Sequence, residues 1–106
     1  MGIQGKSLIA PDDFTVEEIQ TVISTAKEMM EVGPDAYRGL CADKILATLF
    51  YEPSTRTRLS FESAMLRMGG SVLGFGDANT SSVAKGESIA DTVRVISHYA
   101  DIAVMR

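Results

Sequence analysis

Three hydroxyl groups and two guanidinium groups lie together in residues 54–58, which read Ser-Thr-Arg-Thr-Arg. A strand-like apolar run at 44–50 precedes them and a helix-like run to Met68 follows, so a strand-to-helix turn is predicted. The first N–H groups of a helix have no intrahelical acceptor, and the helix dipole adds partial positive charge there. The turn is rich in donors, so it predicts a site for a phosphate or a carboxylate.

Helical spacing gives the two arginines of this segment different roles. Residues two apart lie on nearly opposite sides of a helix, so Arg56 and Arg58 do not easily share one ligand. Arg56 can fold back over the helix mouth, whereas Arg58 faces Glu62 at i,i+4 and is predicted to form a surface ion pair. Residues 54–57 are therefore the ligand-binding candidates. The alternative is an N-cap serine followed by ordinary surface arginines.

The elements around this turn alternate along the chain. A capping box at Thr15 and Glu18 begins a helix that ends at Gly33, and its apolar stripe is predicted to pack. Strands are predicted at 44–50, 71–75 and 102–105, and helices at 54–68 and 88–99. A helix followed by β-α-β-α-β predicts an α/β fold, a parallel sheet with flanking helices.

The carboxyl ends of parallel strands meet at one edge of a sheet, where ligands gather. Three segments are predicted to lie there: the turn at 54–57, the loop at 76–87 and Arg106. The loop is long for a βα connection, polar, and carries Lys85, whose ammonium could contact a phosphate. An ordinary solvated loop is the alternative. The P-loop pattern is missing, so nucleotide binding is disfavoured.

Composition bounds the class of protein. The chain has 106 residues, of which 45% are hydrophobic and 23% charged, as in an ordinary soluble domain. The net charge of −4 argues against a nucleic-acid-binding face. No membrane span or signal peptide is predicted, so a cytoplasmic location is expected. Cys41 and His98 are the single cysteine and histidine, so neither a disulfide nor a local zinc cluster is predicted.

Two ordered motifs resemble the aspartate and ornithine carbamoyltransferases. Residues 54–62, Ser-Thr-Arg-Thr-Arg-Leu-Ser-Phe-Glu, are similar to the carbamoyl-phosphate signature of that family. The second match consists of Ser81, Lys85-Gly86-Glu87-Ser88, Asp91-Thr92 and Val104-Met105-Arg106. The details Leu-Ser-Phe-Glu and Lys-Gly-Glu are more similar to the aspartate than to the ornithine enzymes.

The resemblance covers essentially this whole chain but only the opening portion of a family member. It implies that residues 1–106 are the N-terminal part of an incomplete carbamoyl-phosphate-binding domain. It also implies that the aspartate-binding domain is absent from this chain. We therefore expect the chain by itself to produce no measurable N-carbamoyl-L-aspartate.

The resemblance also implies a reaction. The family transfers a carbamoyl group from carbamoyl phosphate to an amine, which for L-aspartate gives N-carbamoyl-L-aspartate and phosphate in pyrimidine biosynthesis. The amine attacks the carbamoyl carbon directly, and no cofactor or metal is required. The residues that the resemblance assigns to phosphate binding are Ser54, Thr55, Arg56 and Thr57. It assigns Thr55, Arg56 and Arg106 to catalysis, with Arg106 also binding substrate.

Further residues gain roles by the same resemblance. Ser81 and Lys85 match residues that reach into the active site of a neighbouring subunit, which implies a homotrimer with shared active sites. A regulatory subunit is a further partner that the resemblance admits. Glu52 matches a glutamate that links the two domains on closure.

Three classes of function remain open from the sequence. The first class is catalytic, a segment of an aspartate carbamoyltransferase, with ornithine or another amine acceptor as the variant. The second class is a binding module that captures phosphate or a phosphorylated ligand without turnover. The third is an assembly fragment that keeps trimer contacts and binds full-length chains or a regulatory partner.

Overall fold

The computed structural model describes residues 3–76 and 86–106. The helices and strands found there are α1 (Val16–Val32), β1 (Ile45–Leu49), α2 (Thr55–Arg67), β2 (Ser71–Phe75), α3 (Ile89–Ile96) and β3 (Ile102–Met105). Short 3-10 turns lie at Pro11–Asp13 and Pro34–Tyr37. The predicted order of a helix followed by β-α-β-α-β is confirmed. The chain divides into two compact units, residues 1–36 and residues 37–106.

The first unit contains α1, whose two ends follow the predicted capping chemistry. Glu18 N donates to Thr15 Oγ1 at 3.1 Å, and Thr15 N donates to Glu18 Oε1 at 2.9 Å, so the capping box is confirmed. Gly33, with φ of 84°, ends the helix and donates its N–H to Met29 O.

The apolar stripe of α1 is not covered. No residue of this helix is buried, and Ile23 is 50% exposed. The predicted packing role of α1 stays a prediction. Amphipathic spacing identifies the face that a helix would bury, but it does not establish that a covering element is present.

The second unit is built on a parallel three-stranded sheet in the order β2-β1-β3. β1 is central and pairs with β2 along its whole length and with β3 along residues 46–49. The connection from β2 to β3 therefore passes across β1 and reverses the direction of the first crossover. The carboxyl ends of β1 and β3 border the point at which the strand order reverses, which is where open α/β sheets bind ligands.

The core of the second unit is centred on β1. Residues 46–50 are each 5% exposed or less. Burial of successive residues means that both faces of the strand are covered, as its nearly continuous apolar run predicted. The outer strand β3 is much more open, because Ile102 is 60% exposed and Met105 is 45% exposed.

A glycine in β2 brings its backbone close to β1. Gly74 pairs with Thr48 and has φ of 145°, a conformation that other residues rarely adopt. A Cβ atom at this position would collide with the Thr48 carbonyl oxygen. The close approach of the two strands therefore depends on glycine at position 74.

Candidate anion-binding site

The N-terminus of α2 follows the carboxyl end of β1, as predicted. Ser54 is the N-cap residue and the helix begins at Thr55, so residues 54–57 form the cap and the first turn. The first hydrogen bond of the helix runs from Arg58 N to Ser54 O at 3.0 Å. The N–H groups of residues 55–57 precede it and have no acceptor among the described residues.

The Ser54 hydroxyl does not cap these N–H groups. Its Oγ atom instead accepts a hydrogen bond from Arg106 Nη1 at 2.6 Å. An ordinary N-cap serine accepts from a backbone N–H of the first turn, so that alternative does not describe Ser54. The uncapped N–H groups are left available to a ligand.

Arg106 joins the ends of β1 and β3 through its backbone and its side chain. Its N–H donates to Leu49 O at 3.2 Å, and its carbonyl oxygen accepts from Tyr51 N at 2.7 Å and Glu52 N at 3.3 Å. These bonds fix the start of the side chain at the point where the strand order reverses. The guanidinium reaches the Ser54 hydroxyl from there.

The corner between β1, α2 and β3 is open and carries positive charge. Thr55 and Arg56 are exposed, whereas Ser54 and Thr57 are half-buried. The Arg106 side chain is 53% exposed, and its Nε atom lies 3.9 Å from Glu52 Oε2. Exposed ion pairs are weak in water, so Arg106 remains able to bind an anion.

The predicted interdomain residue, Glu52, lies at the same corner. Its side chain is 73% exposed, so it is accessible to another part of a protein. Its role in domain closure stays a prediction.

Arg58 forms the predicted pair with Glu62, but the pair lies partly inside the protein. Arg58 Nη1 lies 3.2 Å from Glu62 Oε2, and the two side chains are 30% and 19% exposed. Thr48 Oγ1 donates to the same Oε2 atom at 2.9 Å. Thr48 itself is 1% exposed. Sequence reasoning missed Thr48, although a hydroxyl in a buried strand signals that a partner is needed.

The second predicted segment is described only beyond residue 85. Ser81 and Lys85 lie outside the described residues. Next in the chain, Glu87 Oε1 accepts from Thr92 Oγ1 at 2.6 Å, and Thr92 is 6% exposed. Ser88 caps α3 by accepting a backbone N–H. The end of the loop is thus attached to α3 by two side chains.

Other features of the described residues lie apart from this corner. A shallow groove of about 470 Å³ runs along α2 and is lined by Leu59, Glu62, Ser63, Leu66 and Arg67. None of the predicted ligand-binding residues lines it. Within 3–76 and 86–106, no group of three or more His, Cys, Asp or Glu side chains could hold a metal ion. In the same ranges, no helix has the length and apolarity to cross a membrane.

The fold and the corner together define an α/β domain with a candidate anion-binding site at the carboxyl edge of a parallel sheet. A family profile described as "Aspartate/ornithine carbamoyltransferase, carbamoyl-P binding domain" matches residues 6–106. The chain belongs to this family, and the resemblance inferred from the two motifs is confirmed.

Three similar proteins are aspartate carbamoyltransferases, also called aspartate transcarbamoylases. The chain is 60% identical over 106 residues to the aspartate carbamoyltransferase catalytic subunit of Alkaliphilus metalliredigens, covering 34% of that protein. The catalytic subunit of M. jannaschii aspartate transcarbamoylase is 55% identical with a TM-score of 0.84, covering 95% of this chain and 34% of that one. Aspartate transcarbamoylase from Trypanosoma cruzi, solved with carbamoyl phosphate, is 39% identical with a TM-score of 0.85, covering 99% and 34% respectively. The chain thus spans about a third of the length of these relatives.

Proposed function

We propose that this chain supplies the carbamoyl-phosphate site of an aspartate carbamoyltransferase. The observation that carries the proposal is the 2.6 Å contact between Arg106 and Ser54 at the uncapped mouth of α2. This contact gathers a guanidinium, a hydroxyl and free N–H donors at one corner. The T. cruzi relative solved with carbamoyl phosphate supports carbamoyl phosphate as the ligand.

The phosphate group is bound by the first turn of α2. Its oxygens accept from the N–H groups of residues 55–57, where the helix dipole favours negative charge. Arg56 and Arg106 add charge-assisted hydrogen bonds, which are stronger than neutral ones. The hydroxyls of Ser54, Thr55 and Thr57 complete the cradle.

The reaction transfers the carbamoyl group to the amino group of L-aspartate. The amine lone pair forms a bond to the carbamoyl carbon, giving a tetrahedral intermediate with negative charge on the carbamoyl oxygen. The bond from carbon to the phosphate oxygen then breaks, phosphate leaves with the electron pair, and the proton on the attacking nitrogen passes to the departing phosphate. Thr55, Arg56 and Arg106 stabilise the charge that develops on the two oxygens.

The remaining parts of the proposal concern the assembly. Ser81 and Lys85 contribute to the active site of a neighbouring chain in a cytoplasmic homotrimer. Glu52 links the domain to the aspartate-binding part of the protein. The resemblance to catalytic subunits supports an enzyme that functions as an assembly of subunits.

A ligand titration tests the phosphate cradle. The 106-residue chain is titrated calorimetrically with carbamoyl phosphate, alongside Arg56→Ala and the matched control Arg67→Ala in the last turn of α2. Losing a charged hydrogen bond is expected to weaken binding by about ten- to a hundredfold in Arg56→Ala. Arg67→Ala is expected to bind as the original chain does.

Two results count against the proposal. If the folded chain does not bind carbamoyl phosphate, the site is wrong. If Arg56→Ala binds as tightly as the original chain, Arg56 has no place in the cradle.

Turnover is tested by joining this chain to the remaining two-thirds of the M. jannaschii catalytic subunit. Formation of N-carbamoyl-L-aspartate by the joined protein, and its loss on Arg106→Ala, is the expected result.

A further inference from the structure

We propose that Glu62 is a positioning residue for the candidate anion-binding site. It holds α2 on β1 at the rotation that points the first turn of the helix toward Arg106. The inference rests on the proposed function, because a positioning role has meaning only if residues 54–57 bind the anion.

The shared carboxylate oxygen is the basis of this role. Glu62 Oε2 accepts from Thr48 Oγ1 at 2.9 Å and from Arg58 Nη1 at 3.2 Å. Thr48 is 1% exposed and lies in the buried part of the central strand, so its hydroxyl is a fixed point in the core. The bond therefore links α2 to the most buried element of the second unit.

The hydrogen bond from Thr48 to Glu62 fixes the rotation of α2 about its axis and thereby the orientation of its first turn. Glu62 lies about two turns after Thr55, at 3.6 residues per turn. Apolar packing tolerates small rotations of a helix, whereas a hydrogen bond is strongly angle-dependent. A rotation of α2 about its axis would break the bond from Thr48 and would also move the Ser54 hydroxyl away from Arg106. The first-turn N–H groups point along the axis, so the rotation changes which side chains surround them and not their direction.

Glu62 also fixes the position of the neighbouring guanidinium. Arg58 is paired with Glu62 and is 30% exposed, so its charge is neutralised beside the site. A Cβ atom on Gly76 would lie 2.6 Å from Arg58 Nε, so the side chain runs against the backbone just after β2. One carboxylate thereby connects α2 with β1 and, through Arg58, with the end of β2.

Two substitutions test the role at different strengths. Glu62→Leu removes the hydrogen bonds from both Thr48 and Arg58 while keeping side-chain bulk, but it leaves the Arg58 charge without its carboxylate and so risks misfolding. Thr48→Val removes the hydroxyl that links β1 to Glu62, together with its 3.5 Å contact with Leu73 O, and keeps the branched side-chain shape. The matched control is Thr25→Val on α1, which deletes a hydroxyl that donates to Thr21 O at 2.8 Å.

The measurement is the Kd for carbamoyl phosphate at a temperature where circular dichroism shows every variant to be folded. Thr48→Val is expected to raise Kd about three- to tenfold while it is still folded, because the angular restraint on α2 is lost. Thr25→Val is expected to leave Kd unchanged. Glu62→Leu, where it folds, is expected to raise Kd at least as much as Thr48→Val does. The double variant, Thr48→Val with Glu62→Leu, is expected to have the same Kd as Glu62→Leu alone, because both changes remove the same bond.

The outcomes separate this inference from the proposed function. If the original chain fails to bind carbamoyl phosphate, the proposed function falls first. If the original chain binds, Arg56→Ala weakens it, and Thr48→Val binds normally, then the function stands and the positioning role is refuted. The role is equally refuted if the loss of affinity in Thr48→Val only follows a loss of folded protein, since that is the result of a general structural role.

Discussion

Arg56 and Arg58 show how far spacing can assign roles to single residues. Their separation by two positions predicted that only one could serve the ligand, and the pairing of Arg58 with Glu62 is confirmed. The contact between Ser54 and Arg106 spans 52 residues, so no local pattern contains it. The contact depends on β1 and β3 being neighbours in the sheet. The sequence predicted only that the ends of these strands lie at the same edge of the sheet. The link from Thr48 was missed because one hydroxyl in a strand is common and its partner lies in another element.

Glycine at position 74 is predicted to be required for the sheet. Gly74→Ala combines an unfavourable φ of 145° with a collision against the Thr48 carbonyl oxygen, so it is expected to destabilise the fold by about 3 kcal/mol or more. Gly39→Ala is the control, because its φ of 88° is similarly unfavourable but no atom lies within 4 Å of the added Cβ. It is expected to cost about 1 kcal/mol. Urea unfolding gives both values, and equal losses would contradict the collision.

Whole helices and strands were predicted more reliably than individual contacts. The strands at 71–75 and 102–105 have the predicted bounds, because glycine or polar residues flank each apolar run. β1 is one residue shorter at each end than the apolar run, since pairing with neighbours, not apolarity, defines a strand. α3 ends at Ile96 instead of Tyr99, because residues 98–100 form turn hydrogen bonds. No pattern in the sequence determined where that change occurs.

The start of α1 is predicted to weaken in acid. The hydrogen bonds from Lys6 Nζ, at 2.7 and 2.9 Å, and then that from Thr15 N hold the pKa of Glu18 below its usual range. A folded-state pKa that is lowered adds stability above the ordinary glutamate pKa of about 4.3, and this stability is lost as the pH falls through the folded-state value. The helical circular dichroism signal is therefore expected to fall on acidification below about pH 4.3.

Substitution at Glu18 isolates this contribution. Glu18→Gln is expected to flatten the acid limb of the titration, because the group that titrates is gone. Glu17→Gln removes the same charge from the first turn and is expected to keep most of the limb. Asp13 accepts from Ile9 N and Ala10 N and also has a lowered pKa, so a smaller acid transition should survive in Glu18→Gln. An unchanged acid limb in Glu18→Gln would contradict the assignment.

Over the whole chain, the described surface carries many apolar side chains. Val16 and Met30 on α1 and Leu59 and Leu66 on α2 are each about half exposed or more. Their spacing predicted which faces of these helices are apolar. Whether such a face is covered depends on elements of a longer polypeptide or on a second chain, and the local sequence does not encode it. The match to about a third of each relative's length is consistent with surfaces that are covered in a larger protein.

The open edge of β3 is predicted to make the chain associate. Among the described strands β3 pairs only with β1, and Ile102 is 60% exposed, so an apolar edge with unpaired backbone groups is available to another chain. Ile102→Lys adds charge at that edge and is expected to shift the sedimentation velocity profile toward smaller species over a dilution series. Ile9→Lys is the control, because Ile9 is 89% exposed but lies outside the strands. If association occurs through the edge, only Ile102→Lys reduces it. If Ile102→Lys still forms a discrete trimer, the proposed trimer contacts do not involve this edge. If Ile9→Lys and Ile102→Lys reduce association equally, the association comes from general surface hydrophobicity and the edge prediction is wrong.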